Sequence, residues 1–182
     1  MIGFRQRLLC AIVLALSCAV TLQATEARGA KEARAQLKLT SSAFSNSGSI
    51  PATFTCDGSD ASPPLAIAGV PKEARSLALI MDDPDAPGGT WTHWVLWNID
   101  PTTTQIGQGT VPRGAQQGEN SWRRKSYGGP CPPSGQHRYY FRLYALSERL
   151  NLPSNSTRKE LDRAMRGKIL AQTELLGVYA HR

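Results

Sequence analysis

Three apolar runs constrain this chain more than any other feature. Leu77–Met81 (LALIM), His93–Ile99 (HWVLWNI) and Tyr139–Leu146 (YYFRLYAL) are short, rich in aliphatic and aromatic residues, and separated by Pro- and Gly-bearing turns. Runs of this length read as strands rather than core helices. Leu77–Met81 is continuously apolar, the pattern of a strand buried on both faces. Alternation puts His93, Val95, Trp97 and Ile99 on one face of the second run, with Trp94, Leu96 and Asn98 on the other. In the third it groups Tyr139, Phe141, Leu143 and Ala145. Leu37–Thr40 alternates like another strand, and Ile50–Phe54 follows a Ser/Gly/Asn turn cluster at Ser45–Ser49. Sixteen Gly, 12 Pro and only 3 Met, with no sustained heptad, argue against a helical bundle. The predicted fold class is mainly β, an antiparallel β-sandwich with a C-terminal helix and a few short helices.

The helix is placed by Thr157-Arg158-Lys159-Glu160, a capping box in which hydroxyl and carboxylate each satisfy an open backbone N–H. It is predicted to run to about Leu176, with Leu161, Ala164, Met165, Ile169, Gln172 and Leu176 near one stripe and Gly177 as its stop. Pro101–Gln136 shows no convincing period, and a loop this long in a compact domain is usually functional.

The chain has 182 residues, one domain's worth after its N-terminus is set aside. Arg5 and Arg7 precede the apolar stretch Leu8–Val20, which is too short to span a bilayer comfortably, and Ala24 and Ala27 suit a cleavage site. The expected organisation is a signal peptide over 1–24, a flexible leader over 25–36 and one domain over 37–182. A retained anchor, or a lipoprotein modified at Cys18, is the alternative. The expected location is periplasmic or secreted. Cys10 and Cys18 fall in the signal, leaving Cys56 and Cys131, an even number in an oxidising compartment. They form either a disulfide or two separately buried thiols.

Charge excludes little else. The chain carries 21 Lys+Arg against 14 Asp+Glu, a net +7 that falls to +5 when Arg5 and Arg7 leave. Arg123-Arg124-Lys125 and the helix residues Arg158, Lys159, Arg163, Arg166 and Lys168 read as solvated faces. They lack the dense stripe and interleaved aromatics that nucleic-acid binding calls for, so no nucleic-acid partner is expected.

Two polar clusters interrupt the strands. Asp82-Asp83-Pro84-Asp85-Ala86-Pro87 follows one apolar run, and Gly128–Arg138 (GGPCPPSGQHR) precedes another, while His93 begins a third. Prolines 84 and 87 fix φ and stiffen the carboxylate loop. An isolated Asp-Pro-Asp is an exposed turn, and a lone strand-end His is usually structural. Together at strand ends, acids, imidazoles and a Gly/Pro loop point to a site.

These motifs, with Thr53–Gly58 (TFTCDG), Ser62–Leu65 (SPPL) and Tyr127–Pro133 (YGGPCPP), resemble the phosphatidylethanolamine-binding protein family, in its bacterial Raf-kinase-inhibitor-like branch, from roughly Leu37 to Tyr179. The resemblance implies a sandwich of two antiparallel sheets with an anion pocket at one end. By motif, that pocket is lined by Asp83, Asp85, His93, Pro132, His137 and Tyr139, with Trp91 and Gly129 nearby and Tyr179 as a closing aromatic. The implied partner is a small anionic ligand or phospholipid head group, with a homodimer plausible for the branch and any protein partner unknown.

In such a pocket two neighbouring carboxylates cannot both ionise cheaply, so one pKa is expected to rise. The imidazoles can donate to phosphate while a carboxylate fixes each tautomer, and the Gly-rich loop can offer N–H groups as an anion nest. Bare carboxylates repel phosphate, so the ligand must bring a proton or an ammonium. Arg138 points to the opposite face and is expected to pair with an acid beneath the loop. A hydrolase using the same acids and imidazoles is an alternative, but no Ser or Cys stands in a nucleophile elbow. No catalytic residue and no cofactor are assigned. No metal is assigned either: Asp83, Asp85, His93 and His137 have ligand types without a metal-binding spacing. A third class is an inhibitor of an envelope or host protein.

Overall fold

The computed structural model describes residues 36–181, so the expected signal peptide and nearly all of the leader lie outside the described residues. Nine strands form two sheets. The small sheet joins β1 (Lys38–Thr40), β3 (Leu65–Ala68) and β6 (Gln105–Ile106) in the order β1-β3-β6. The large one joins β2 (Gly48–Ser49), β4 (Ser76–Asp83), β5 (Trp91–Ile99), β7 (Gln116–Gln117), β8 (Gln136–Leu146) and β9 (Ile169–Ala180) in the order β2-β9-β8-β4-β5-β7. The pairings are antiparallel except β2 with β9, a two-residue parallel contact that the predicted antiparallel sandwich did not include.

β4 is buried along its whole length because it is central and covered on both sides. Leu77, Leu79 and Met81 join Leu39, Ile67, Phe141 and Leu143 in the core between the sheets. Ala78 and Ile80 face the other way, onto Val95, Trp97, Leu161 and Met165 beneath the helix α1 (Arg158–Met165). The layers are therefore small sheet, large sheet and helix.

Two predicted elements change. The helix ends at Met165, not Leu176. Its stop is Gly167, at φ 74°, in the left-handed region that glycine enters without strain. The rest of the expected helix is β9. Its burial alternates at Leu175, Gly177 and Tyr179, and it pairs with β8 from Leu146↔Ile169 to Gln136↔Ala180. An unpaired β8 would leave a row of backbone groups without partners, and that need outweighs a weak helical stripe. Ile50–Phe54 is not a strand. Pro51 has no N–H for a ladder, and Ala52–Phe54 turn as a 3-10 helix.

In β5 the simple alternation fails twice. Met81↔Trp94 is followed by Asp82↔Thr92, so His93 is an extra residue, and Leu79↔Leu96 is followed by Leu77↔Ile99. These bulges turn His93 toward Tyr139 and Ile99 into the inter-sheet core, correcting the face expected for both. Asn98, at φ 56°, takes the second bulge, and its amide exchanges two 2.8 Å hydrogen bonds with the backbone of Leu150.

Candidate functional site

Asp83, the last residue of β4, is 4% exposed and sits on the sandwich face. His137, near the start of β8, is 7% exposed, and its Nδ1–H donates to Asp83 Oδ2 at 2.7 Å. Asp83 Oδ1 accepts from the Asp85 N–H at 2.8 Å, closing the turn that Pro84 stiffens. One carboxylate therefore shapes its own hairpin and orients an imidazole 54 residues away.

His93 is 2% exposed. The bulge aims its ring edge-on at Tyr139, with centroids 5.3 Å apart, and at Trp122, 5.0 Å away. Its Nδ1–H donates to the Gly128 carbonyl at 2.7 Å, which leaves Nε2 with the lone pair in the neutral ring. Burial pushes the His93 pKa below the ordinary imidazole value, overcoming the pull of the Gly128 carbonyl and the Asp83 charge. Burial, assisted by the Asp83 charge, also pushes the Tyr139 hydroxyl well above the usual phenol range.

The long loop is what covers this cluster. Asn120 holds it: Oδ1 accepts from the Trp122 and Arg124 N–H groups at 3.0 Å, and Nδ2 donates to Ser126 O at 3.0 Å. Ser121 N–H donates to Thr92 O, and Gly128 N–H to His93 O, so the loop adds to the edge of β5. Trp122 is thereby placed over His93 and 5.4 Å from Trp91. Gly129 must lack a side chain, because a Cβ there would lie 2.5 Å from Phe54 O and 2.6 Å from Asp60 Oδ1. Its N–H donates to that Asp60 oxygen at 2.6 Å, so this donor is already engaged and is not a free part of an anion nest.

The predicted residues fall into two groups. Asp83, His93, His137 and Tyr139 converge, with Trp91 opposite Asp83 in register and Gly129 in the covering loop. Pro132 is buried in the segment that leads into β8. Tyr179 lies directly across from His137, and its hydroxyl donates to Asp57. Asp85 touches the cluster through its N–H on Asp83, but its carboxylate is taken up elsewhere. Arg138 takes it, with Nη2 on Oδ1 at 2.6 Å and both Nε and the backbone N–H on Oδ2 at 2.9 Å. The acid that Arg138 pairs with is thus part of the hairpin itself.

The expected upward shift from paired carboxylates is not seen at Asp85. The Arg138 guanidinium holds its pKa down to about 2. Each acid has its own cationic or N–H partner, so repulsion does not dominate. The Cys56–Cys131 disulfide is formed, tying the turn after Phe54 to the covering loop.

Two features escaped sequence reasoning. Trp122 was a lone aromatic in a polar loop, the only signal it gave. Asp82, next to Asp83, points to the opposite face, fully buried, and accepts from Thr92 Oγ1, Arg142 and Arg158 at 3.1, 2.8 and 2.9 Å. Burial raises its pKa even against the two guanidiniums. On that face an open cavity of about 410 Å³ is lined by Thr92, Asn120, Arg158, Lys159, Asp162 and Arg166, away from the Asp83 cluster.

Within the cluster two buried donors have no hydrogen-bond partner: the Tyr139 hydroxyl and the Trp91 indole N–H. Leaving such a group unsatisfied costs about 1–3 kcal/mol each.

Comparisons with known proteins agree with this fold. A profile described as phosphatidylethanolamine-binding protein matches residues 40–180. The UPF0098 protein of Methanothermobacter thermautotrophicus is 48% identical over 148 residues, covering 79% of this chain and 98% of its own length. Among solved structures, CT736 of Chlamydia trachomatis, named for its homology to phosphatidylethanolamine-binding protein, superposes with a TM-score of 0.79 at 40% identity, covering 81% of this chain and 99% of its own. E. coli YbcL, described as a member of the mammalian family of that name, gives 0.76 at 31% identity, covering 81% and 100%.

Proposed function

The chain belongs to the phosphatidylethanolamine-binding protein family, and on that footing we propose that its Asp83–His137–His93–Tyr139 cluster binds the phosphate of a small anionic head group, of the phosphoethanolamine type. The observation that carries this reading is the pair of unsatisfied buried donors, Tyr139 Oη–H and Trp91 Nε1–H, next to that cluster. A phosphate oxygen satisfies them where water-excluded side chains cannot. His137 is held at Nδ1 by Asp83, which fixes the ring and leaves Nε2 outside that bond. The Asp83 charge opposes a bare phosphate dianion, and the ligand therefore binds with a proton or with its own ammonium near the acidic hairpin.

The protein acts by binding rather than catalysis, and it acts after export. Export is supported by Arg5, Arg7 and the apolar Leu8–Val20, with a cysteine pair suited to an oxidising compartment. N-terminal sequencing of protein from the exported fraction should begin just after Ala24 or Ala27; a chain retaining Met1 contradicts it.

Calorimetric titration of the full chain with phosphoethanolamine, and separately with inorganic phosphate, tests the binding. Affinity should weaken as pH rises through the second ionisation of the phosphate monoester, at about pH 6, because the dianion is opposed by the Asp83 charge. His137→Ala and Asp83→Asn should each weaken it by at least ~10-fold, in line with loss of a charge-assisted hydrogen bond, and Tyr139→Phe by less. Constant affinity from pH 5 to 9, or variants that bind like the parent, would refute the assignment. Phosphoethanolamine should be recovered intact after incubation; released phosphate would favour a hydrolase instead.

A further inference from the structure

Away from the proposed head-group cluster, the disulfide has a neighbour that a merely structural bond does not need. Cys56 and Cys131 are both exposed. His181, one residue beyond β9, brings Nδ1 to 3.9 Å from Cys56 Sγ, and both sulfurs and that nitrogen lie within 4.8 Å of one another. Asp57 holds the imidazole: His181 Nδ1 is 2.9 Å from its Oδ1 and 3.1 Å from its Oδ2. Asp57 is held in turn by the Tyr179 hydroxyl. The Nδ1–H that Asp57 holds in place also faces Cys56 Sγ, so it can share its hydrogen bond with a sulfur that takes on negative charge. Sequence offered no hint, since His181 lies at the far end of the chain, 125 residues from Cys56.

We propose that Cys56–Cys131 is an exchange-active disulfide that accepts two electrons from a small thiol or dithiol, with His181 assisting the departure of the Cys56 sulfur. A thiolate of the reductant attacks Cys131 Sγ. The protein S–S bond breaks as a mixed disulfide forms on Cys131, and Cys56 leaves as a thiolate beside the His181 Nδ1–H. A second thiolate then attacks the reductant's sulfur in the mixed disulfide. This forms the reductant's own disulfide and releases Cys131 as a thiolate, which takes a proton from water. Two electrons pass to the protein and two reductant thiols are oxidised. The direction follows from the placement of that N–H at Cys56, since the better-stabilised sulfur leaves faster.

The test uses the full chain, oxidised, with glutathione as probe at pH 7, quenched in acid and mapped by mass spectrometry. The first mixed disulfide should sit on Cys131 in large excess over Cys56. In His181→Ala the rate constant should fall about 10-fold, the order expected for loss of one polar assisting group, and the partition should approach equality. His181 is exposed, so this substitution leaves the core untouched. Asp57→Asn, which changes a positioning residue, should give a smaller rate loss with the same drift in partition, a readout that a purely structural role leaves unmoved. Overturning results are an even partition in the unaltered protein, an unchanged rate in His181→Ala, or a bond that millimolar glutathione does not open. The partition in the unaltered protein decides the matter even if a variant fails to fold.

Discussion

His93 shows how one buried side chain sets a pH response. Its ring is enclosed by Tyr139 and Trp122, and its Nδ1–H is committed to Gly128. Burial lowers its pKa in the folded state, whereas the unfolded chain takes up the proton near pH 6.5. Between those two values the unfolded state binds more protons. Stability from this residue is therefore present above about pH 6.5 and is lost as pH falls toward the folded value, with a slope of at most ~1.4 kcal/mol per pH unit. Urea midpoints at pH 7.5, 6.5 and 5.5 should fall in the parent and fall less in His93→Gln, relative to each protein's own value at pH 7.5. Parallel slopes would mean that another group governs this window. The same scale shows what sequence could convey. Asp83, His93 and His137 were legible because short motifs carry them. Asp82 was not, although it is adjacent, because its role exists only through Arg142 and Arg158, which approach it by folding.

Elements were legible where burial imposes a simple period and illegible where pairing overrides it. β4 and β8 followed their apolar patterns. β9 did not, because its sequence fits a helical stripe and a strand almost equally, and only the open side of β8 decides between them. The glycine assigned as a helix stop has another task. Gly177 pairs with Tyr139 in β8 and with Gly48 in β2, and a Cβ there would lie 2.5 and 2.7 Å from Ile50 and 3.0 Å from Phe44. Ile50 and Phe44 are buried and have little room to yield. Gly177→Ala should destabilise the protein by about 1–3 kcal/mol, the usual cost of overpacking, read as a lower urea midpoint with an unchanged slope. Within a helix body the same substitution would have been neutral or stabilising, and at the helix stop expected from sequence it would have cost the strain of a left-handed residue instead. A stability equal to or above the parent's would therefore contradict the strand assignment itself. The two bulges of β5 were equally invisible, yet one of them turns His93 toward the cluster.

At the scale of the whole molecule, one of the connections between the covering loop and the rest of the sandwich is covalent. Cys56 follows the 3-10 turn and Cys131 precedes β8, at a sequence separation of 75. Around that bond the backbone also connects, through Cys56 N–H to Pro130 O at 3.1 Å and Tyr127 Oη–H to Phe54 O at 2.7 Å. Counting cysteines was enough to suggest the pair, because the other two lie in the expected signal peptide, but not to show that the bond fastens the loop over His93. In the chain-entropy account, closing a loop of this size restricts the unfolded chain by roughly 4–5 kcal/mol. Small domains have only about 5–15 kcal/mol in total, so the bond decides whether the fold is comfortable or marginal. The double substitution Cys56→Ser with Cys131→Ser should lower the melting temperature by about 8–20 °C, from ~2–4 °C per kcal/mol at this size. The serine hydroxyls fit the exposed positions without a new cavity, so the loss reads the cross-link rather than local damage. The two hydrogen bonds beside it should keep the loop folded below the transition, and the near-ultraviolet signal of Trp91 and Trp122 should survive at 20 °C. A drop under about 2 °C would mean that the unfolded chain is not appreciably freed by cutting this bond, and the loop would then owe its position to Asn120 and the β5 edge alone.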